Sequence, residues 1–383
     1  MSYWNEFIAT LPSAVDQQAL KAPHARAEAW RYFPLRQLLA KSYSPPTPMP
    51  VAQTFAGEWR LVWIDGSLSR AHSSTPLCER VESLEVAHAT PSNLADLTRL
   101  CAQQHRLQIS KALQLDAPLH LHWYNTNGSS CAHLKLQLEA GVALTVVEHV
   151  HAASHENDNT VAHNLLEVEL ASASQLSLLR RLYSGTGARL SHSQFRLADL
   201  AKLRYFALQA SNHLHRHELL IEHLGAEAQS EVRAASLSDA ASFSETRLEL
   251  SHQHAHTRSS CIWKSLASAR SRQVFNGRIA IAAGAEQTDA QLQTANMLLS
   301  ATAEIDTKPE LEIYADDVKA AHGATVGQID QAALFYLRSR GLPETEARAL
   351  LLAAFVRSVF DEADGALSSL LEAELPGALS ALR

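Results

Sequence analysis

Histidine is where this sequence concentrates its capacity for chemistry. The chain holds 20 histidines in 383 residues, and two trios alternate with other residues. They are His213-Leu-His215-Arg-His217 and His252-Gln-His254-Ala-His256. Alternate residues of a strand share a face. Each trio would present a row of imidazoles, and rows on neighbouring coils would stack into a column able to bind a first-row metal. The plainer reading, a solvated sheet face, is preferred. No carboxylate sits at metal-ligand spacing within either trio, although Glu218 and Glu222 are close. His322 stands apart from both trios, a further imidazole able to ligate a first-row metal. The plain alternative is a His322-Gly323 turn. Asp316, Asp317 and Lys319 look like an acid/base cluster. Adjacent carboxylates on a strand point to opposite faces, so they are not a catalytic pair. A structural role before His322, or a partner contact, is expected instead. Asn276-Gly277 and the Gly323 to Gly327 stretch read as turn formers. Neither is a GxxxxGK[ST] loop, so ATP hydrolysis is not expected of this chain.

Composition narrows the classes. Hydrophobic residues make up 46% and charged residues 19%, an ordinary globular balance. The formal net charge of -7 argues against a general nucleic-acid binder. The N-terminus carries acidic Glu6 and no apolar run fit for a signal peptide. No apolar stretch approaches the ~18 residues of a membrane span. Cys78, Cys101, Cys131 and Cys261 are scattered without a CxxC pair. They are expected to be unpaired, which fits a reducing, cytoplasmic location.

These residues must be positioned by elements of changing type. Trp4, Phe7, Ile8 and Leu11 form one helical stripe. A second helical segment is expected over 25–40, before the Pro-rich spacer at 44–50. Trp59 to Ile64 reads as a strand with Asp65-Gly66 as its hairpin turn. A helix is expected over 93–113. From 119 to 314 short alternating runs recur, often about ten residues apart, with few NG or DG turns. That pattern predicts a sandwich or, preferably, a solenoid. Helices return after Asp330, with Gly341 as a C-cap and Pro343 opening the next helix, over 343–362. That helix is apolar on two faces and must be covered on both. The last helix carries Leu367, Leu370, Leu371, Leu375 and Leu379.

The stretch from Val274 to Gly341 is specific. It contains Val274-Phe-Asn-Gly-Arg-Ile279, Thr288-Asp-Ala-Gln291, Asn296-Met-Leu-Leu-Ser300 and Thr307-Lys-Pro-Glu-Leu-Glu-Ile-Tyr-Ala-Asp-Asp-Val318. His322-Gly-Ala-Thr-Val-Gly-Gln328 and Leu334-Phe-Tyr-Leu-Arg-Ser-Arg-Gly341 follow. Trp263-Lys264 lies upstream, and Ala29-Trp30-Arg31-Tyr32 lies near the start. The ordered set resembles the SufB/SufD family of the SUF iron–sulfur cluster assembly system. The SufD side matches better, because no cysteine follows Cys261, whereas SufB carries its cluster-building cysteine in its C-terminal part. Many relatives have Cys-Ser where this chain has Ala320-Ala321, so this loop contributes no thiolate.

The resemblance implies a mainly β fold, a right-handed parallel β-helix flanked by N- and C-terminal α-helical domains. The expected units are 1–115, 116–325 and 326–383. It implies a non-enzymatic scaffold that pairs with SufB, and with itself when SufB is absent. The SufC ATPase would dock on the C-terminal helices through Leu334, Phe335, Tyr336, Arg338, Leu351, Phe355 and Phe360. Tyr314, Asp316, Asp317 and His322 would face SufB or a second copy. His322 is the main cluster-assembly residue implied, and His252 and His256 also fit the family pattern. No cofactor is expected to be held tightly by this chain alone; a nascent iron–sulfur cluster would be shared with SufB. Neither nucleic acid nor membrane is an expected partner. Two rivals are a homodimeric metal-binding β-helix protein and a carbohydrate-active β-helix enzyme. The second needs acidic pairs that are not convincingly arranged here.

Overall fold

The computed structural model describes residues 3–9, 11, 27–41, 51, 54–84, 94–113, 115–126, 128–151, 160–182, 185, 187–211, 213–363, 365–380 and 382. The strands set the register of the fold. One sheet contains β1 (Trp59–Ile64), β2 (Ser67–Leu68), β5 (Leu119–Tyr124), β7 (Ala143–Val150), β9 (Gln175–Leu182), β11 (Lys202–Ser211), β13 (Gln229–Ser238), β15 (Arg258–Ala267), β17 (Asp289–Leu298) and β19 (Lys319–Gly327). The other contains β3 (Glu82–Ser83), β4 (Gln103–Ile109), β6 (Ser130–Leu138), β8 (Val161–Leu170), β10 (Ala188–Leu197), β12 (Leu214–His223), β14 (Phe243–His252), β16 (Arg272–Ile281) and β18 (Glu304–Ile313). From β4 onward the chain alternates between sheets, and each strand pairs in parallel with the next but one. This is a parallel β-solenoid.

Its interior follows from the register. In-register residues stack as columns, such as Leu178, Tyr205, Val232, Cys261 and Leu292. All five are buried. Helices flank the sheets, most of them on the outer faces, while Leu77 and Cys78 pack into the interior. The helices are α1 (Tyr3–Ala9), α2 (Leu35–Leu39), α3 (Thr75–Cys78), α4 (Leu94–Cys101), α5 (Gln331–Ser339), α6 (Glu344–Arg357) and α7 (Gly365–Ser380). Tyr3, Phe7, Phe33 and Leu38 pack on Val161, Leu190, Leu214 and Phe243 of the nine-stranded sheet. Val356, Phe360, Leu371 and Leu375 pack on Leu179, Phe206, Leu237 and Leu266 of the ten-stranded sheet. The middle rungs of both sheets are thus buried on two faces, as parallel sheets require, whereas β18 and β19 are largely exposed.

The scarcity of NG and DG turns has a structural reason. One corner of successive coils uses a single left-handed residue: Ala173, Leu200, Glu227, His256 and Gln287, with φ of 58°, 60°, 59°, 61° and 60°. Each donates its amide to the next coil, to Asp199, Ala226, Ala255, Glu286 and Asp317 oxygens respectively. That ladder holds non-glycine residues in a conformation that costs each about 1–2 kcal/mol.

Several expectations need correction. The helix expected over 93–113 stops at Cys101, and β4 follows, because pairing with β6 overrides local propensity. β1 and β4 belong to the sheets, so the solenoid reaches back before residue 116. The expected helix over 25–40 is a 3-10 turn at Glu28–Trp30 and α2, separated around Pro34. The Pro-rich spacer at 44–50 lies outside the described residues. Helix α6 ends at Arg357, short of 362. Cys101 and Cys131 are not unpaired: α4 packs on β6, and the two join as a disulfide across 30 residues. Cys78 and Cys261 are free and buried.

Asn276-Gly277 is not a turn either; both residues lie inside β16. A Cβ on Gly277 would stand 2.6 Å from Leu292 Cδ1 and 2.7 Å from Phe275 Cε1. Gly277→Val is therefore expected to lower unfolding free energy by about 1–3 kcal/mol through overpacking. A urea midpoint equal to wild type would contradict this.

Candidate functional site

The column Val232, Cys261, Leu292 continues by register to His322 on β19. The earlier members are buried, but His322 is exposed, since among the described residues β19 pairs only with β17 and no further rung covers it. An imidazole therefore ends an apolar interior column at the open end of the solenoid. His322 and Gly323 are strand residues, not a turn, and the Gly323 to Gly327 stretch is likewise extended.

The other predicted interface residues lie at the same end. Tyr314 follows β18 and is 70% exposed. Asp316 and Asp317 are exposed in the bend between β18 and β19, rather than on a strand. Asp317 anchors that bend, donating its amide to Glu286 and accepting from Gln287 through both main and side chains. Ile313 and Val326, also exposed, add apolar surface. β18 and β19 each leave one edge without a strand partner among the described residues. Such edges invite a further strand.

The histidine trios are not solvated rows. His215 and His217 face the buried interior of β12. His217 contacts Ser193 and Gln209, His215 contacts Ser244, and burial pushes both imidazoles well below their ordinary pKa. His213 precedes the strand. The second trio is split, because β14 ends at His252. His252 is buried, bonded to Thr257 and Ser259 and stacked on His223 at 4.2 Å. His254 and His256 are exposed in the following turn, where His256 serves as the left-handed corner. The motif around His252 and His256 is thus explained by packing and backbone geometry.

The C-terminal candidates divide by burial. Leu334 and Phe360 are core residues. Leu351 and Phe355 are half-buried, and Lys264 lies 4.6 Å from the Phe355 ring centre. Phe335 and Tyr336 are exposed at 71% and 56%, beside Arg338, which pairs with Glu344. Leu350, 51% exposed, adds apolar surface on α6. Sequence reasoning missed Leu350 as an exposed residue, because its stripe reads as core. It also missed a buried set of histidines on β5 and β7, where the imidazoles alternate within two separate strands.

The fold and this end define a class: a capped parallel β-solenoid whose terminal rung offers strand edges and an imidazole. Residues 122–355 match the SUF system FeS cluster assembly SufBD core domain. The chain belongs to the SufBD family of iron–sulfur cluster assembly proteins. It is 28% identical over 364 residues to the iron–sulfur cluster assembly protein SufD of Escherichia coli K12, covering 88% of this chain and 85% of that one. It is 24% identical to a SufBD family protein of Synechocystis, with 90% and 84% covered. A SufBD family protein of Mycobacterium tuberculosis is 25% identical, with 90% and 85% covered. Among the described residues no helix is long and apolar enough to cross a membrane.

Proposed function

We propose that this chain is a SufD-type, non-enzymatic scaffold that meets SufB through β18, β19 and His322. The observation that carries this reading is the exposed histidine ending a buried column beside two open strand edges. A partner strand would satisfy the free backbone groups and enclose His322 in a drier environment. The cluster's thiolates would come from the partner, since Ala320 and Ala321 offer none. SufC would dock on Phe335, Tyr336 and Leu350, the exposed apolar residues of α5 and α6. Tyr314, Asp316 and Asp317 would line the SufB contact, and a second copy would use the same edge when SufB is absent. A cytoplasmic location accompanies this reading through the family alone, since the Cys101–Cys131 disulfide removes the argument from unpaired cysteines.

The test is co-expression of the tagged chain with SufB and SufC from the same organism, as wild type and as His322→Ala. The expected result is an intact complex in both cases, with reconstituted cluster reduced at least about tenfold in the variant, the scale of a lost metal-site contact. An intact complex with full cluster would remove His322 as a ligand. Failure of the wild type to form any complex would remove the scaffold reading.

A further inference from the structure

The first rungs of the solenoid hold a set of imidazoles that the cluster-assembly end does not use. β5 carries His120 and His122, and β7 carries His149, which is followed after Val150 by His151. Register places His122 beside His149. The rings stack in a zigzag: His120 on His149 at 5.1 Å, His149 on His122 at 4.2 Å, and His122 on His151 at 5.2 Å. One nitrogen each of His120, His122 and His149 lies within 4.8 Å of the others, and all three residues are buried.

We propose that His120, His122 and His149, with His151 at the rim, bind a late first-row divalent metal ion. Several features point there. His122 Nε2 lies 2.9 Å from the Ala56 carbonyl, which can only accept, so Nε2 carries the proton. That fixes the tautomer and leaves the Nδ1 lone pair aimed at His151 Nε2, 2.9 Å away. A carbonyl orienting the far nitrogen is the usual support of a metal-binding histidine. His120 Nδ1 and His149 Nε2 are also 2.9 Å apart. Ligand nitrogens around a tetrahedral ion at about 2.0–2.1 Å stand about 3.4 Å from one another, so the pairs need open only slightly. Phe55 closes the site with an apolar edge, 5.2 Å from His122 and 5.7 Å from His151 between ring centres.

The donor set selects the ion class. Nitrogen-only, neutral ligands suit iron(II), cobalt(II) or zinc(II) and not magnesium or calcium. They leave the ion's charge unneutralised, so a solvent anion such as hydroxide completes its shell. Arg181, held by Glu374, and Arg189, bonded to the His151 carbonyl, lie close enough to act on His151, and such cations favour an anion beside the ion. The site lies in the same sheet as His322, but six strand spacings away, roughly 30 Å at ~4.8 Å each. It is independent of the scaffold reading.

The test is titration of the purified full chain with cobalt(II), followed by visible absorption. The expected result is one equivalent bound with the intense band of a four- or five-coordinate ion, displaced by zinc(II) or anaerobic iron(II) but not by magnesium(II). His122→Asn and His149→Gln should each weaken binding about 100-fold, given that even outer-shell changes cost 10–100-fold. His151→Gln keeps a polar side chain beside His122 and should change the band shape. The exposed pair His254→Ala/His256→Ala should leave titration and band unchanged. A wild-type protein without the band would overturn the proposal. So would a band lost in the exposed pair, or one untouched by His151→Gln together with either core variant.

Discussion

Acidification from pH 7 to pH 5 is expected to remove about 6 kcal/mol of stability through three buried histidines alone. Burial holds His163 down to about 3, with His192 adding repulsion. Burial holds His252 down to about 2, with His223 adding to it. His223 is lowered to about 4, the backbone carbonyl of Ser251 offsetting part of the burial. In the unfolded chain each would titrate near 6.5, so below that pH the unfolded state binds more protons. Stability is complete above about 6.5 and falls as pH drops toward the folded values, at about 1.4 kcal/mol per pH unit per group. At pH 5 each group costs about 2 kcal/mol, against a typical total of about 5–15 kcal/mol. The urea midpoint should therefore fall steeply between pH 7 and pH 5. A midpoint constant over that range would show that these imidazoles are not buried as described. His252→Asn should flatten the slope by about one proton.

Glu148→Ala should cost about 3–5 kcal/mol, because it strands a buried cation. Glu148 and Arg180 are both fully buried, and Glu148 Oε1 accepts from Arg180 Nη1 at 2.6 Å and from Trp123 Nε1 at 2.8 Å. Alanine would leave the guanidinium and the indole N–H facing an interior with nothing to replace the carboxylate. The double variant Glu148→Met/Arg180→Met removes both charges and should recover most of the loss, as replaced buried pairs often do. A double-mutant cycle separates the pair's coupling from simple loss of volume. A single variant within about 1 kcal/mol of wild type would mean that the pair is solvated.

Much of this protein was legible in its residues. Alternation along runs such as Leu203 to Ala207 and Thr246 to Leu250 marked strands, because side chains of period two must face in and out in turn. Asp65-Gly66 marked the hairpin that the structure shows, with both residues at positive φ. The motif order from Val274 to Gly341 pointed to the family, and residues 122–355 bear it out.

Other features needed the third dimension. The Cys101–Cys131 pair, the Glu148–Arg180 pair and the imidazole set of β5 and β7 each join residues about 30 apart, one coil of the solenoid. Local sequence carries no mark of coil length, so which residues meet is decided by register alone. The same cause reversed the reading of His215 and His217: an alternating strand looks half-solvated until a second layer covers its other face. Gly277 looked like a turn because glycine permits one, whereas the approach of Leu292 decides its role. His322 was singled out from the sequence; its place as the exposed end of a buried column was decided by where the stack of rungs stops.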